Sequence, residues 1–190
     1  EILARIGRYT LHGLASLGRG FAVLCGILCH LRLTWKRRRE VLDQMHVIVI
    51  GSLPLIVTTA AFTGAITAVQ TGYQMEAYVP MIFLGTVISK SVILEMGPVL
   101  AALVVGSRLS ANYAAELGTM KVTEQLDAME IMAIEPVQYL GLPRFVAGVL
   151  MMPVITLVAD FIAIFGAIVV SVSTLDVTVQ TFSAGMRLFW

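Results

Sequence analysis

The chain has 190 residues, of which 58% are hydrophobic and only 13% charged, about half the charged share of an ordinary soluble domain, which is about 25%. Such a composition argues against a water-soluble monomer, and the balance of 13 Lys and Arg against 12 Asp and Glu leaves no net field to recruit nucleic acid or an acidic substrate. Cys25 and Cys29 lie one helical turn apart, and His12, His30 and His46 are scattered outside the apolar stretches, so neither set makes a four-ligand metal site.

The segment from Glu1 to Gly20 carries four charges and no compact apolar core, unlike a cleavable signal, and the absence of an initiator Met predicts an internal start. Phe21 to Leu31 is apolar but too short to cross a bilayer and is flanked by Arg19 and Arg32. It reads as a helix lying in the interface, within an N-terminal region of residues 1–45. Residues 47–72 contain no charge and at 1.5 Å per residue reach about 39 Å, more than a hydrocarbon core of about 30 Å. They predict a first span over 46–72. A second span over 77–107 contains Lys90, Glu95 and the pair Gly97-Pro98, so it is expected to kink or tilt. A third, over 145–175, is interrupted by Pro153 and Asp160, and Asp176 to Trp190 is left outside or re-entering. Arg32 and the run Lys36 to Arg39 precede span one, whereas the connection Tyr73 to Pro80 has only Glu76; this bias places the N-terminus in the cytoplasm. The fold class is therefore an all-α integral membrane protein with three spans. Ala60, Gly64, Ala68 and Gly72 in span one, and Ala159, Ala163, Ala167 and Ser171 in span three, form small-residue rows that let helices approach closely within one bundle.

The long polar-containing stretch runs from Ala114 to Arg144. Leu117, Met120, Leu126, Met129 and Met132 recur at spacings of three and six, and Glu124, Asp127 and Glu130 recur at three on another face. This pattern predicts an amphipathic helix over 114–136, ended by Pro136. Its acidic row is suited to basic residues on a partner, and its methionines to an adaptable apolar contact.

Within this stretch Ala115-Glu116-Leu117-Gly118-Thr119-Met120, Val122-Thr123-Glu124-Gln125-Leu126-Asp127-Ala128-Met129-Glu130, Pro136, Tyr139-Leu140 and Pro143-Arg144 closely resemble the signature of the MlaE (YrbE) permease family. Glu95-Met96-Gly97-Pro98-Val99-Leu100, Gly106 and Arg108 are similar to it as well. The resemblance implies the membrane subunit of an ABC transporter that moves phospholipids between the inner membrane and a periplasmic MCE-domain partner. It implies a dimer whose protomers each have an interfacial N-terminal helix, five spans, and a cytoplasmic coupling helix between spans two and three that docks on a separate ATPase subunit. By the same resemblance the coupling helix covers Glu116 to Ala133, with Glu116, Gly118, Met120, Lys121, Thr123, Glu124, Gln125, Asp127 and Glu130 as coupling residues. Five spans imply a longer protein, of which this chain is a C-terminally truncated piece. Some relatives carry a basic residue directly before the intramembrane Glu, where this chain has Leu94.

An ionisable group in mid-membrane costs from about 2.5 kcal/mol upward and needs a cavity or a partner. Lys90 lies five residues before Glu95, about 140° around a regular helix, a poor arrangement for pairing. The resemblance favours Glu95 in a polar patch of the lipid cavity together with Lys90, against a purely structural buried pair. Tyr78 and Gln70 flank the outer ends of spans two and one, where a ring or amide meets a passing lipid, although Tyr also anchors at interfaces generally. Asp160 stays open between a structural and a functional role. No G-x-x-x-x-G-K-[ST] loop occurs, so the expected protein is not itself an enzyme and needs no cofactor of its own; ATP is handled by the partner. The alternative is a stand-alone carrier or channel with Lys90, Glu95 and Asp160 as an ion relay. An intramembrane hydrolase using Ser107 or Glu95 is weaker, since no His lies within the apolar stretch of a span to serve as base.

Overall fold

A computed structural model describes residues 2–29, 37–75 and 78–187. Arg32, Lys36, Glu76, Ala77 and His30, used above for topology and metal arguments, lie outside the described residues, as do the last three positions. The described elements are helical in order: α1 (Ile2–Cys29), α2 (Arg38–Met75), a 3-10 turn (Met81–Phe83), α3 (Leu84–Ser91), a π turn (Val92–Met96), α4 (Gly97–Val122), α5 (Gln125–Ile131), a second π segment (Val137–Gly141), α6 (Leu142–Thr174) and α7 (Val179–Arg187). Three continuous helical stretches, Arg38–Met75, Met81–Val122 and Val137–Thr174, are long and apolar enough to cross a membrane. At 38, 42 and 38 residues each exceeds the ~20 residues that a bilayer core requires; the spans expected at 46–72 and 145–175 fall on the apolar parts of the first and third, whereas the span expected at 77–107 begins only at Met81, after Pro80.

The chain divides into two compact units, one of residues 1–45 and 116–149, the other of residues 46–115 and 150–190. In the second unit the small-residue rows do what their spacing predicts. Ala60, Ala68, Ala159, Ala163, Ala167 and Ser171 are buried, as are Gly64 and Gly72. A Cβ at Gly64 would overlap the Ala163 carbonyl, and one at Gly166 would stand 2.7 Å from the Ala61 carbonyl oxygen. Helices α2 and α6 therefore touch backbone to backbone, an approach open only to Gly, Ala and Ser. The large side chains point outward instead: Phe62, Ile66, Phe161 and Phe165 are all at least 61% exposed. Small residues inside and large apolar residues outside invert the soluble pattern and suit a hydrocarbon solvent.

The break expected at Gly97-Pro98 takes a definite form. Pro98 has no N–H for the Leu94 carbonyl four residues back, and the Gly97 N–H reaches back five residues to Val92. The result is the π turn Val92–Met96, a common way for a helix to absorb such a mismatch. Beyond α6, Asp176 adopts a left-handed φ of 51° and Thr178 caps α7 by accepting from the Thr181 N–H at 3.3 Å. Helix α7 packs on α3 and the preceding 3-10 turn through Gly85 and Gly185, where a Cβ at Gly85 would overlap the Phe182 carbonyl and one at Gly185 the Ile82 carbonyl. Phe182 is fully buried there and the Thr86 hydroxyl donates to the Gly185 carbonyl. The tail left outside or re-entering by the sequence is thus a helix folded onto the start of the second span.

In the first unit, α1 begins at Ile2 rather than near Phe21. Leu11, Leu14, Leu17, Phe21 and Leu28 recur at helical spacing and are each at least 50% exposed, while Ile27 is buried and faces Gly141, whose Cβ would stand 3.2 Å from its Cδ1. The single amphipathic helix expected over 114–136 is corrected to two. Helix α4 ends at Val122, Glu124 turns left-handed at φ 58°, and α5 covers only Gln125–Ile131. A Schellman motif closes α5: the Ala133 N–H bonds Glu130 and the Ile134 N–H bonds Met129, with Ala133 at φ 58°. Pro136 does not end that helix but stands at the start of the next, where its missing N–H costs nothing.

Candidate functional site

The intramembrane candidates of the second unit fall at three separate places. Glu95 sits on the π turn with its side chain exposed. Asp160, on α6, is 7% exposed and lies against Gly97, where a Cβ would overlap its Oδ1. That oxygen has no hydrogen-bond partner among the described residues. Only Gly can follow the π turn here, because the carboxylate occupies the space a side chain would need. Lys90 lines an open groove of about 620 Å³ between the end of α2 and the start of the second span, together with Thr71, Gln74, Phe83, Val87 and Ser91. Gln70 and Tyr78 are exposed and do not line the groove. Of the expected lipid-cavity residues, Lys90 alone stands in it, so the three charges invoked for an ion relay do not share a described cavity.

Two features of this region were not read from the sequence: the neutral lining of the groove and the contact that Arg108 makes. Thr71, Gln74 and Ser91 join Lys90 because α2 and α3 converge there, and no local pattern marks them. Arg108 reaches across from α4 to hydrogen-bond the Ser52 hydroxyl at 2.7 Å, over Gly51, where a Cβ would stand 2.5 Å from the guanidinium. The absence of any charge in residues 47–72 was the available hint that this arginine would find a hydroxyl rather than a carboxylate. Ser107, the nucleophile of the weaker enzyme reading, hydrogen-bonds the Val104 carbonyl at 3.1 Å.

The expected coupling residues divide between framework and surface. Glu116 is held by Arg144, itself 8% exposed, in an ion pair within the first unit. Lys121 bridges to Asp127 at 2.6 Å, spanning the left-handed turn between α4 and α5, while Arg37 lies 4.5 Å over the Tyr139 ring and 3.6 Å from Glu40. Gly118, Thr123, Glu124, Gln125 and Glu130 are exposed, and Met120 is half-buried. The acidic row is not continuous on one helix, because Glu124 stands in the turn and only Asp127 and Glu130 lie on α5. Among the described residues no group of three or more His, Cys, Asp or Glu is placed to hold a metal ion.

Comparison with known proteins shows the family of the chain. The family model described as Permease MlaE matches residues 41–190. The intermembrane phospholipid transport system permease protein MlaE of Haemophilus influenzae is 31% identical over 187 residues, covering 98% of this chain and 72% of that protein. Probable ABC transporter permease proteins of Synechocystis and Rickettsia felis are 35% and 38% identical over 80% and 72% of this chain. Against these two the chain spans only 58% and 52% of their length, about half of a complete relative. With a family model covering most of its residues and a relative aligned almost end to end, this chain belongs to the MlaE permease family.

Proposed function

We propose that this chain belongs to a permease subunit that moves phospholipids between the inner membrane and a periplasmic MCE-domain partner, powered by ATP hydrolysis in a separate cytoplasmic subunit. The alignment with the Haemophilus phospholipid transport permease over 98% of the chain carries this reading. Three membrane-length helices agree with it, and the N-terminus and the 116–149 connection are cytoplasmic in it. The exposed apolar row of α1 suits a helix at the membrane surface. Two copies form the working dimer.

The coupling surface is the turn between α4 and α5 with Gly118, Thr123, Gln125 and Glu130 around it. Asp127, tied to Lys121, fixes the turn. A nucleotide-dependent shift in how the ATPase grips this turn biases the permease between states, provided the two nucleotide states bind it with different affinity. Helix α4 runs from Gly97 to Val122 and leads directly into this turn. Glu95 on the π turn, with Tyr78 and Gln70, lines the lipid path.

Co-purification tests the coupling. The full-length permease is expected to retain the ATPase subunit, and Glu124→Lys and Asp127→Lys are each expected to lose it while inserting normally in the membrane. Retention of the ATPase by both variants would contradict the placement of the coupling surface, and a wild type that retains no ATPase would contradict the ABC reading itself.

A further inference from the structure

Asp160 is the one acid in α6, stands near the middle of that membrane-length helix, and is 7% exposed. Its Oδ1 has no hydrogen-bond partner among the described residues. That oxygen occupies the point where a Gly97 side chain would begin, and the Val92 carbonyl oxygen stands 3.0 Å from the same point. Two acceptor oxygens thus share the space over Gly97. The Val92 carbonyl accepts the Gly97 N–H, but a carbonyl has a second lone pair, and the kink is short of donors. Pro98 has no N–H for Leu94, and the Gly97 N–H that a regular helix would give to Ile93 goes to Val92 instead. A bare carboxylate here combines the cost of an unpaired charge in hydrocarbon with repulsion between two acceptors. A neutral carboxyl removes both, because its O–H makes one of the two oxygens a donor.

Among the described residues, nothing titratable faces this carboxyl from the helices packed around it. Beside Gly97 and Ala159, α2 presents Thr59, Ala60 and Thr63, and α4 presents Leu100 and Ala101. The hydroxyls of Thr59 and Thr63 donate to carbonyls of their own helix, at Leu55 and Thr59. Glu95 on the π turn is exposed, and Lys90 lines the separate groove with Thr71 and Gln74. We infer that Asp160 is an intramembrane proton-binding site that locks α6 to the kink of the second span, its neutral carboxyl donating from Oδ1 to the Val92 carbonyl across Gly97. Loss of the proton, to water admitted as the helices part, leaves a carboxylate against that carbonyl and frees α6 from the π turn. The packed state binds the proton and the parted state releases it, so the lock is present at lower pH and is lost as pH rises. The π turn joins α3 to α4, and the proton therefore sets whether α6 holds that joint. This lock acts on the helices themselves, whatever lipid the permease carries.

Infrared spectra of the full-length permease with its ATPase, in nanodiscs, test the proton directly. At neutral pH wild type is expected to show a protonated-carboxyl band that Asp160→Asn lacks and that fades on alkaline titration. The amide of Asp160→Asn donates to the same carbonyl and has no proton to lose. This variant is expected to melt with wild type at neutral pH, and above it by roughly 3–5 °C for each pH unit beyond the midpoint of the band. Asp160→Ala is expected to melt below both at neutral pH. Gly97→Ala displaces Oδ1, is expected to remove the band as well, and decides the matter if Asp160→Asn fails to assemble. A band that survives both substitutions belongs to another acid and overturns the lock. So does a wild type that lacks the band at neutral pH, or one whose melting temperature follows that of Asp160→Asn at every pH. The membership of the permease family stands under each of these results.

Discussion

Gly64 and Gly118 look alike in the sequence, yet their surroundings separate a packed glycine from an exposed one. A side chain at Gly64 collides with the Ala163 backbone, so Gly64→Val is expected to cost roughly 1–3 kcal/mol or more, seen as a lower melting temperature in detergent. Nothing lies within 4 Å of a Cβ at Gly118, and in a helix Gly→Ala gains up to about 1 kcal/mol. Gly118→Ala should therefore keep or raise stability, and Gly118→Leu should keep stability while weakening retention of the ATPase. Loss of stability in Gly118→Leu would show that the residue is packed rather than exposed. Gly97 and Asp160 occupy each other's space, so their substitutions cannot be independent. Gly97→Ala should destabilise, and Gly97→Ala combined with Asp160→Ala should lose less than the sum of the singles, by a coupling of about 0.5–3 kcal/mol. Strict additivity in that cycle would mean that the two do not meet.

At the scale of elements, the helix ends of the 116–149 region carry strain that glycine would relieve. Ala133 holds φ 58° as the left-handed residue of a Schellman motif, a position that favours Gly because a Cβ there costs roughly 1–2 kcal/mol. Ala133→Gly is expected to raise the melting temperature and Ala133→Val to lower it; the opposite order would exclude the left-handed turn. This ending also explains what the sequence could reveal. The spans were legible because uninterrupted apolar length is a strong signal, and the close-packing faces of α2 and α6 were legible because Gly64 and Ala163 recur in rows of fixed spacing, although the rows did not say that these two helices pair. The break at Glu124 was not legible, since a left-handed Glu has no compositional mark and the period of three continued across it. Pro136 misled for a related reason: proline disfavours a helix before it and equally favours one starting at it. The early part of α1 was obscured by Gly13, Gly18 and Gly20, each a poor helix former. Among the candidate site residues, Glu95 and Lys90 stood out as charges in apolar helices, whereas Thr71, Gln74 and Ser91 acquire their meaning only when two helices converge.

For the whole molecule, orientation and energy source are the properties on which the function depends. With Cys25 and Cys29 replaced, a single cysteine at Met132 should react with an impermeant thiol reagent only from the cytoplasmic side, and one at Tyr78 only from the opposite side. Both positions are exposed on the chain, at 62% and 88%, so failure to label cannot be ascribed to burial within the protomer, and the reverse pattern would invert the topology. The most direct measurement is phospholipid transfer by the full-length permease, reconstituted in vesicles with its ATPase and MCE partner. ATP is expected to drive movement of labelled phospholipid between membrane and partner, with the movement abolished when Asp127→Lys uncouples the ATPase. A complex that assembles and hydrolyses ATP but moves no more lipid with ATP than without it would contradict the assignment as a phospholipid permease.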